Sequence, residues 1–351
     1  QCAQCHDHLF VKDYKQQDFQ GLFAFFQNTA LRSDVKFPAV SEKPMSQKIE
    51  FQSVFKKEKK ETGPRVPGKG EIEVPVLEKG QEYAEPPDKK TNSPGVPRFS
   101  PLLKLAEQLP TPDNAAFTRN VVNRIWFVMM GRGLVHPLDL HHRENPPSHP
   151  ELLDLLAQEF ATHKFDVKWL VRELALTQTY QRSSVLPSGQ PELPPELYAV
   201  ANEKYMSAEQ LLWSLLQATG SDLATSSPAC PPGMTIEKVR DRFVKAFANP
   251  PSDPEGDFAP SLRAALFVMN DPAVLECLKA QPGNLVDRLA KFASADEVAD
   301  ELYFSVLTRK PTADERADVA EYLTKNAQRR PAALSHLAWA LLASTEFCVN
   351  H

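Results

Sequence analysis

The residues richest in chemistry stand at the start of the chain, in Cys2-Ala3-Gln4-Cys5-His6. Two thiols separated by two residues, with an imidazole directly after the second, form the attachment signature of a c-type haem. The thiols add across the two vinyl groups of the macrocycle, whose separation the two intervening residues match. His6 is then held under the iron as an axial ligand. The expectation is a covalent haem c, with Cys2 and Cys5 as thioether residues and His6 as the metal ligand. Attachment of this kind takes place outside the bacterial inner membrane, so the motif also implies export to the periplasm or cell envelope. A redox dithiol would want a βαβ setting, which the residues after His6 do not show. A zinc site would want four ligands, and Cys2, Cys5 and either His6 or His8 supply three.

No residue type singles out the sixth iron ligand. His8 is too close in chain to His6 to reach the opposite face easily. Met45, Met129, Met130, His141, His142 and His149 qualify by type alone. His136, His141, His142 and His149 fall within fourteen residues. Neutral imidazole is a common metal ligand, but the spacing fits no standard zinc pattern, and Pro137, Pro146, Pro147 and Pro150 make the stretch a loop. Its histidines are read as structural or as lining a pocket. Arg124 and Arg132 flank a helix end that exits through Gly131 and Gly133. They suit either an anion, such as a haem propionate, or an internal carboxylate joining helix to loop.

The elements that must position these groups are mostly helical. The chain has 351 residues with 31 prolines and only 13 glycines, so many segments must be loops, helix starts or extended linkers. Residues 1–31 carry the motif and a helical pattern in which Phe19, Leu22, Phe23, Phe25 and Phe26 suit either a porphyrin face or a plain core. Residues 32–110 read as a Pro-rich extended connector with a small β element, strand-like over 48–55 and 71–77. The lysines at 56, 57, 59 and 60 read as a solvated face.

Residues 111–351 read as an irregular multi-helix domain, and the fold class is mainly α. Thr111-Pro112 suggests a cap with proline at the first helical position. Four capping boxes follow: Ser148 with Glu151, Ser207 with Gln210, Ser294 with Glu297 and Thr312 with Glu315. Helices are expected near 113–130, 149–162, 167–178, 207–219, 236–247, 261–269, 272–279, 284–292, 296–308, 313–326 and 332–346. Each capped run carries apolar residues at helical spacing, as in Leu211, Leu212, Leu215 and Leu216.

Several classes are excluded or unsupported. A net charge of −5 argues against a general nucleic-acid binder. No apolar run is long enough for a membrane span. There is no Gly-rich phosphate loop, nucleophile elbow or HExxH pair. Cys277 and Cys348 lie among apolar residues and are expected as buried thiols. A disulfide among Cys230, Cys277 and Cys348 stays open. The chain starts at Gln1, immediately before the motif, so upstream residues completing the haem-side domain are expected.

The stretch CAQCHDHLFVKDYKQQDFQGLFAFF (2–26) resembles the end of the second cytochrome-like domain of planctomycete-type cytochrome c proteins. NRIWFVMMGRGLV (123–135), NPPSHPELLDLLAQEF (145–160), TQTYQRSS (177–184), ALFVMNDPAVLE (265–276), ELYFSVLTRKPTADE (301–315) and WALLASTEFCVNH (339–351) resemble the planctomycete-specific domain that follows it. Residues 136–144 are richer in histidine than that pattern, and 247–265 keeps its Phe…Pro frame without the usual arginine and Thr-Pro features. Both domains have no assigned reaction, so the resemblance implies a large secreted haem protein but no substrate. Three functions are compatible with it. The first is a haem c redox or electron-transfer module working with other envelope redox proteins. The others are a secreted enzyme acting on polysaccharide or another envelope substrate, and a binding module with structural haem.

Overall fold

Side-chain caps decide where the helices begin. In this computed structural model, which describes residues 2–186, 189, 191, 193–221, 235–247, 267–268 and 270–350, three of the four expected capping boxes form, at Ser207, Ser294 and Thr312. In each, a hydroxyl satisfies an orphan N–H of the first turn and an acid or amide reaches back to the cap. The fourth does not form. Pro150 takes the first helical position, which makes His149 the cap residue, and its side chain makes no bond to the helix's first turn. The Ser148 hydroxyl instead donates to Leu134 O at 3.2 Å, alongside its own N–H at 2.7 Å. The cap expected at Thr111 also moves: Asn114 caps that helix by accepting from Phe117 N.

The chain divides into two compact units, Gln1–Arg182 with Gly189–Ala199, and Ser183–Ser188 with Val200–His351. The first therefore takes in residues on both sides of the boundaries expected at 31 and 110. It opens with a 3₁₀ turn at Cys2–Gln4 and helix α1 (Gln16–Ala24). Four antiparallel two-stranded ribbons follow: β1 (Thr29–Arg32) with β2 (Ala39–Glu42), β3 (Ile49–Gln52) with β4 (Lys59–Thr62), β5 (Arg65–Val66) with β6 (Gly70–Glu71), and β7 (Tyr83–Glu85) with β8 (Val96–Pro97). The strand expected over 71–77 is confined to its first residue. Helix α2 (Pro101–Gln108) was not expected; Ser100 caps it and Pro101 presets its first turn. Helices α3 (Ala115–Met130), α4 (Pro150–Thr162) and α5 (Val167–Ala175) complete the unit.

Two apolar clusters hold this unit. Ala24, Met45, Ile49 and Phe99 bring α1 onto the ribbons. Val122, Trp126, Met130, Leu153, Phe160, Leu170 and Leu174 pack α3 against α4 and α5, with Tyr198 closing the cluster. Burial of each such side chain contributes about 1.5–3 kcal/mol, which suffices to fix the faces of α3 and α4.

The second unit is helical, with α6 (Ala208–Thr219), α7 (Ile236–Phe247), α8 (Pro272–Cys277), α9 (Leu285–Lys291), α10 (Ala295–Leu307), α11 (Ala313–Lys325), α12 (Arg330–Leu342) and α13 (Thr345–Cys348). Two-residue strands β9 (Lys204–Tyr205) and β10 (Val349–Asn350) pair near its end. Its core runs through Leu212, Phe243, Val274, Leu285, Leu289, Leu302, Leu334 and Ala338. The single helix expected over 332–346 is two, because Ser344 ends α12 and caps α13 by accepting from Phe347 N. Cys277 is a buried thiol and Cys348 a half-buried one, both unbridged. Burial pushes the Cys348 thiol up. Cys230, most of the helix expected at 261–269 and nearly all of 247–265 lie outside the described residues.

Candidate functional site

The turn that carries the motif is held by its backbone. Gln16 and Gln20 donate from their amides to Gln4 O at 3.3 and 2.9 Å. Val54 N, beyond β3, donates to Cys5 O at 3.0 Å. Gln16 is buried and its amide also donates to Gln52 O at 3.2 Å, so one side chain ties the turn to the ribbon. Lys15, at the cap position of α1, makes no side-chain cap bond. Asp7 replaces it, accepting from Gln16 N at 2.9 Å. The residue between His6 and His8 thus anchors the motif to the positive end of a helix.

His6 places its Nδ1 2.6 Å from Asp7 O. A carbonyl only accepts, so Nδ1 is the donor of this bond, and in the neutral ring Nε2 is then the lone-pair nitrogen. That is the tautomer a metal-ligating imidazole needs, with its second nitrogen fixed by a backbone carbonyl. The Phe55 ring lies against His6, with centroids 4.8 Å apart. Cys5 is exposed. Leu9, Phe10, Val54 and Phe55 are exposed apolar side chains in the same stretch of sequence and ribbon tip.

The histidine loop meets the motif segment through Tyr14. The Tyr14 ring stands edge-on to His8 at 5.9 Å and to His142 at 6.0 Å. Its hydroxyl donates to Asp139 O at 2.9 Å and to His141 O at 3.3 Å. Burial, with Asp139 and Asp13 nearby, pushes the Tyr14 phenol up, so it stays protonated and donating. Arg143 N adds a donation to Asp13 Oδ2 at 3.4 Å. His8 Nδ1 is already an acceptor, from Val11 N at 2.9 Å and Phe10 N at 3.3 Å.

Behind the loop, Asn123 is fully buried on α3 and clamps Val135 on both sides. Its Oδ1 accepts from Val135 N and its Nδ2 donates to Val135 O, each at 2.8 Å. The same amide nitrogen approaches His141 Nε2 at 3.4 Å. Gly131 ends α3 at φ 80°, a left-handed conformation suited to glycine. A Cβ on Gly133 would stand 2.5 Å from Val135 O and 3.1 Å from the Asn123 amide, so the clamp needs a bare backbone there. Burial, reinforced by Arg124, pushes the His141 imidazole down, which keeps it neutral.

Of the residues singled out in the sequence, Cys5, His6, His8, Arg124, His141 and His142 fall in or beside this network. Arg124 pairs with Asp139 at 2.6 Å, joining α3 to the loop. Arg132 and His149 belong to a different group around Tyr198. The Tyr198 hydroxyl donates to Arg132 O at 3.1 Å, the His149 ring lies 5.8 Å from the Tyr198 ring, and Arg132 Nε is 3.9 Å from Glu196. His136, joined to Pro137 by a cis peptide, stacks on Phe127. Met45 and Met130 are core residues and Met129 packs against the α3 cluster. Among the described residues, no group of three or more His, Cys, Asp or Glu converges as for a metal ion. Sequence reasoning did not single out Asp7, Tyr14, Gln16, Phe55 or Asn123. Each acts through a backbone partner or a ring contact set by the fold, which leaves no spacing to read.

Residues 102–242 match a family model described as PSD1, protein of unknown function (DUF1553), a planctomycete-associated domain. The matched span is 141 of the 351 residues and runs from α2 into α7, including Asn123, Arg124 and the histidine loop. No curated protein and no solved structure matches the chain. No helix among the described residues is long and apolar enough to cross a membrane.

Proposed function

We propose that Cys2, Cys5 and His6 carry a covalent haem c, and that this chain is the electron-transfer part of an exported envelope protein of the planctomycete cytochrome type. The observation that carries the reading is the His6 ring: Nδ1 donates to Asp7 O at 2.6 Å, and Nε2 would be the nitrogen that holds a haem iron. The donor set fits the group, because the Cys5 thiol is exposed, the His6 imidazole is oriented by Asp7 O, and the exposed Phe55 ring lies against it. When bound, haem supplies a one-electron ferric–ferrous couple.

The chain's own residues supply position and surroundings. Asp7, Gln16 and Gln20 hold the turn, so Cys5 and His6 are presented with little ordering cost on attachment. The carbonyl of Asp7 fixes the plane of the His6 ring. Phe55 excludes water from one side of the ring. Tyr14 ties this arrangement to the histidine loop of the helical part.

The test is spectroscopic, on the full-length exported protein made with a c-type maturation system. A reduced-minus-oxidised difference spectrum with c-type bands is expected, and His6→Ala should alter the spin state while leaving the thioethers in place. Carbon monoxide then separates an open iron position from a six-coordinate carrier. A spectrum without c-type bands contradicts the proposal.

A further inference from the structure

A group of polar side chains that the haem reading does not use meets at the phenol of Tyr198. The residue is buried, and Arg182 holds it by donating to its carbonyl. The Tyr198 hydroxyl donates to Arg132 O at 3.1 Å. The Trp126 ring stands edge-on to the phenol at 5.3 Å, and the His149 ring lies 5.8 Å from it. Burial pushes the phenol up, while the Trp126 indole, Arg132 and the Ser148 hydroxyl act the other way. The indole N–H, the guanidinium and the serine therefore all face the Tyr198 oxygen.

This group is rich in donors and short of acceptors. Trp126 is 4% exposed, and its buried indole N–H forms no hydrogen bond to Tyr198 or to any other group. The Nε of Arg132 is buried and also lacks a hydrogen bond. Among the described residues one carboxylate comes within ion-pair range of Arg132, that of Glu196, and at 3.9 Å it is too far to accept a hydrogen bond. The Arg132 side chain is 29% exposed, so solvent reaches it. The start of α4 adds two more donors. His149 Nδ1 engages Ser148 Oγ at 3.1 Å, and no side chain caps the first turn. Pro150 has no N–H, and among the described residues nothing accepts from Glu151 N or Leu152 N. A buried donor left without a partner costs about 1–3 kcal/mol. Two of them, beside a guanidinium and the positive end of a 13-residue helix, suit an oxygen ligand that carries negative charge.

We propose that the Tyr198 group and the start of α4 form an oxyanion site, which takes the carboxylate or phosphate group of a small ligand. The ligand oxygens accept from Glu151 N, Leu152 N and the Arg132 guanidinium. Glu196 competes for that guanidinium, so binding displaces a weak internal partner. Trp126, through the Tyr198 hydroxyl, senses the occupant from the buried side. The site shares no residue with Cys2, Cys5 or His6 and does not depend on the haem reading.

The test is a titration of the isotope-labelled full-length protein with acetate and with inorganic phosphate, followed by two-dimensional amide NMR. Sodium chloride at matched ionic strength is the reference. The chain has 4 tryptophans, and Trp126→Phe identifies the indole signal of Trp126. The amide signals of Glu151 and Leu152 should move downfield and saturate with at least one of the two anions, and the Trp126 indole signal should follow the same curve. The tighter probe tells carboxylate from phosphate. Arg132→Gln should weaken binding about tenfold, the worth of one hydrogen bond from a charged donor. Glu196→Gln should tighten it about threefold, because a competing carboxylate is gone. A purely structural Arg132–Glu196 pair would give no such gain. Signals that never saturate, or that move equally in chloride, would overturn the proposal. So would an Arg132→Gln variant with the parent's affinity. If that variant does not fold, Glu196→Gln decides: affinity no higher than the parent's would also overturn it.

Discussion

The Tyr14 hydroxyl donates to the backbone carbonyl of Asp139 at 2.9 Å, across 125 positions of sequence. That bond joins the segment bearing Cys5 and His6 to the histidine loop after α3, and so joins the two regions of the sequence that looked most chemical. Tyr14→Phe keeps the ring against His8 and His142 and removes only the hydroxyl. It should cost about 1 kcal/mol, the usual net worth of one hydrogen bond. Urea denaturation of both proteins gives the difference, and amide exchange should quicken over 139–142. Unchanged stability and exchange would mean that the tether contributes nothing.

Asn123 makes a stronger case, because its removal strands two buried backbone groups. Asn123→Ala leaves Val135 N and Val135 O without their partner, and should cost about 2–4 kcal/mol. Asn123→Asp keeps the acceptor for Val135 N but turns the donor into a second acceptor facing Val135 O, so it should also destabilise. Thermal melts rank the three proteins, and an aspartate variant as stable as the parent would refute the two-sided clamp.

Arg309 gives the second unit a pH-dependent joint. It bonds Glu315 at 2.7 and 2.8 Å and Glu346 at 2.6 and 2.9 Å, tying the start of α11 to α13. Arg309 is the main reason the Glu315 carboxyl is held down to about 2, from an ordinary 4.5. A carboxyl whose pKa is lower folded than unfolded adds stability that is complete above the unfolded value and disappears as pH falls through the folded one. Glu315→Gln preserves the capping box and removes the charge. It should cost about 1 kcal/mol at pH 7, given the screening of a partly exposed pair. The gap to the parent should narrow from pH 5 toward pH 2 in urea titrations. A gap that does not change with pH would assign the loss to packing.

Two serines that look alike in sequence should behave differently. Ser207→Ala removes a working cap and should cost about 1 kcal/mol. Ser148→Ala removes the hydroxyl's donation to Leu134 O, which still receives the Ser148 N–H, and its exposed contact with His149 Nδ1, so its cost should be under about 0.5 kcal/mol. Equal losses in parallel melts would mean that Ser148 also caps α4.

Local chemistry was legible in the sequence, and long-range chemistry was not. Ser207, Ser294 and Thr312 announced their helices because a cap and its returning acid lie three residues apart. Gly131 announced the end of α3 for a similar reason. Ser148 misled because Pro150 shifts the cap by one residue and Leu134 O competes for its hydroxyl from across a loop. Helix α2 was hidden by the prolines around it, one of which starts it. His8 and His142 each face the Tyr14 ring, whose hydroxyl finds backbone carbonyls that no residue pattern encodes. Arg124 was read with two partners open, and its carboxylate is Asp139.

The central claim is covalent attachment through Cys2 and Cys5, and mass spectrometry of the denatured protein tests it most directly. The full-length exported protein, made alongside a working c-type maturation system, is unfolded in acid–acetone and weighed with its Cys2→Ala, Cys5→Ala double variant. Thioether bonds survive unfolding, so the parent should weigh one haem more than its polypeptide, with the added mass located on the peptide that contains residues 2–6. The double variant should weigh as bare polypeptide. A parent protein that emerges from this treatment at the bare polypeptide mass would contradict the account.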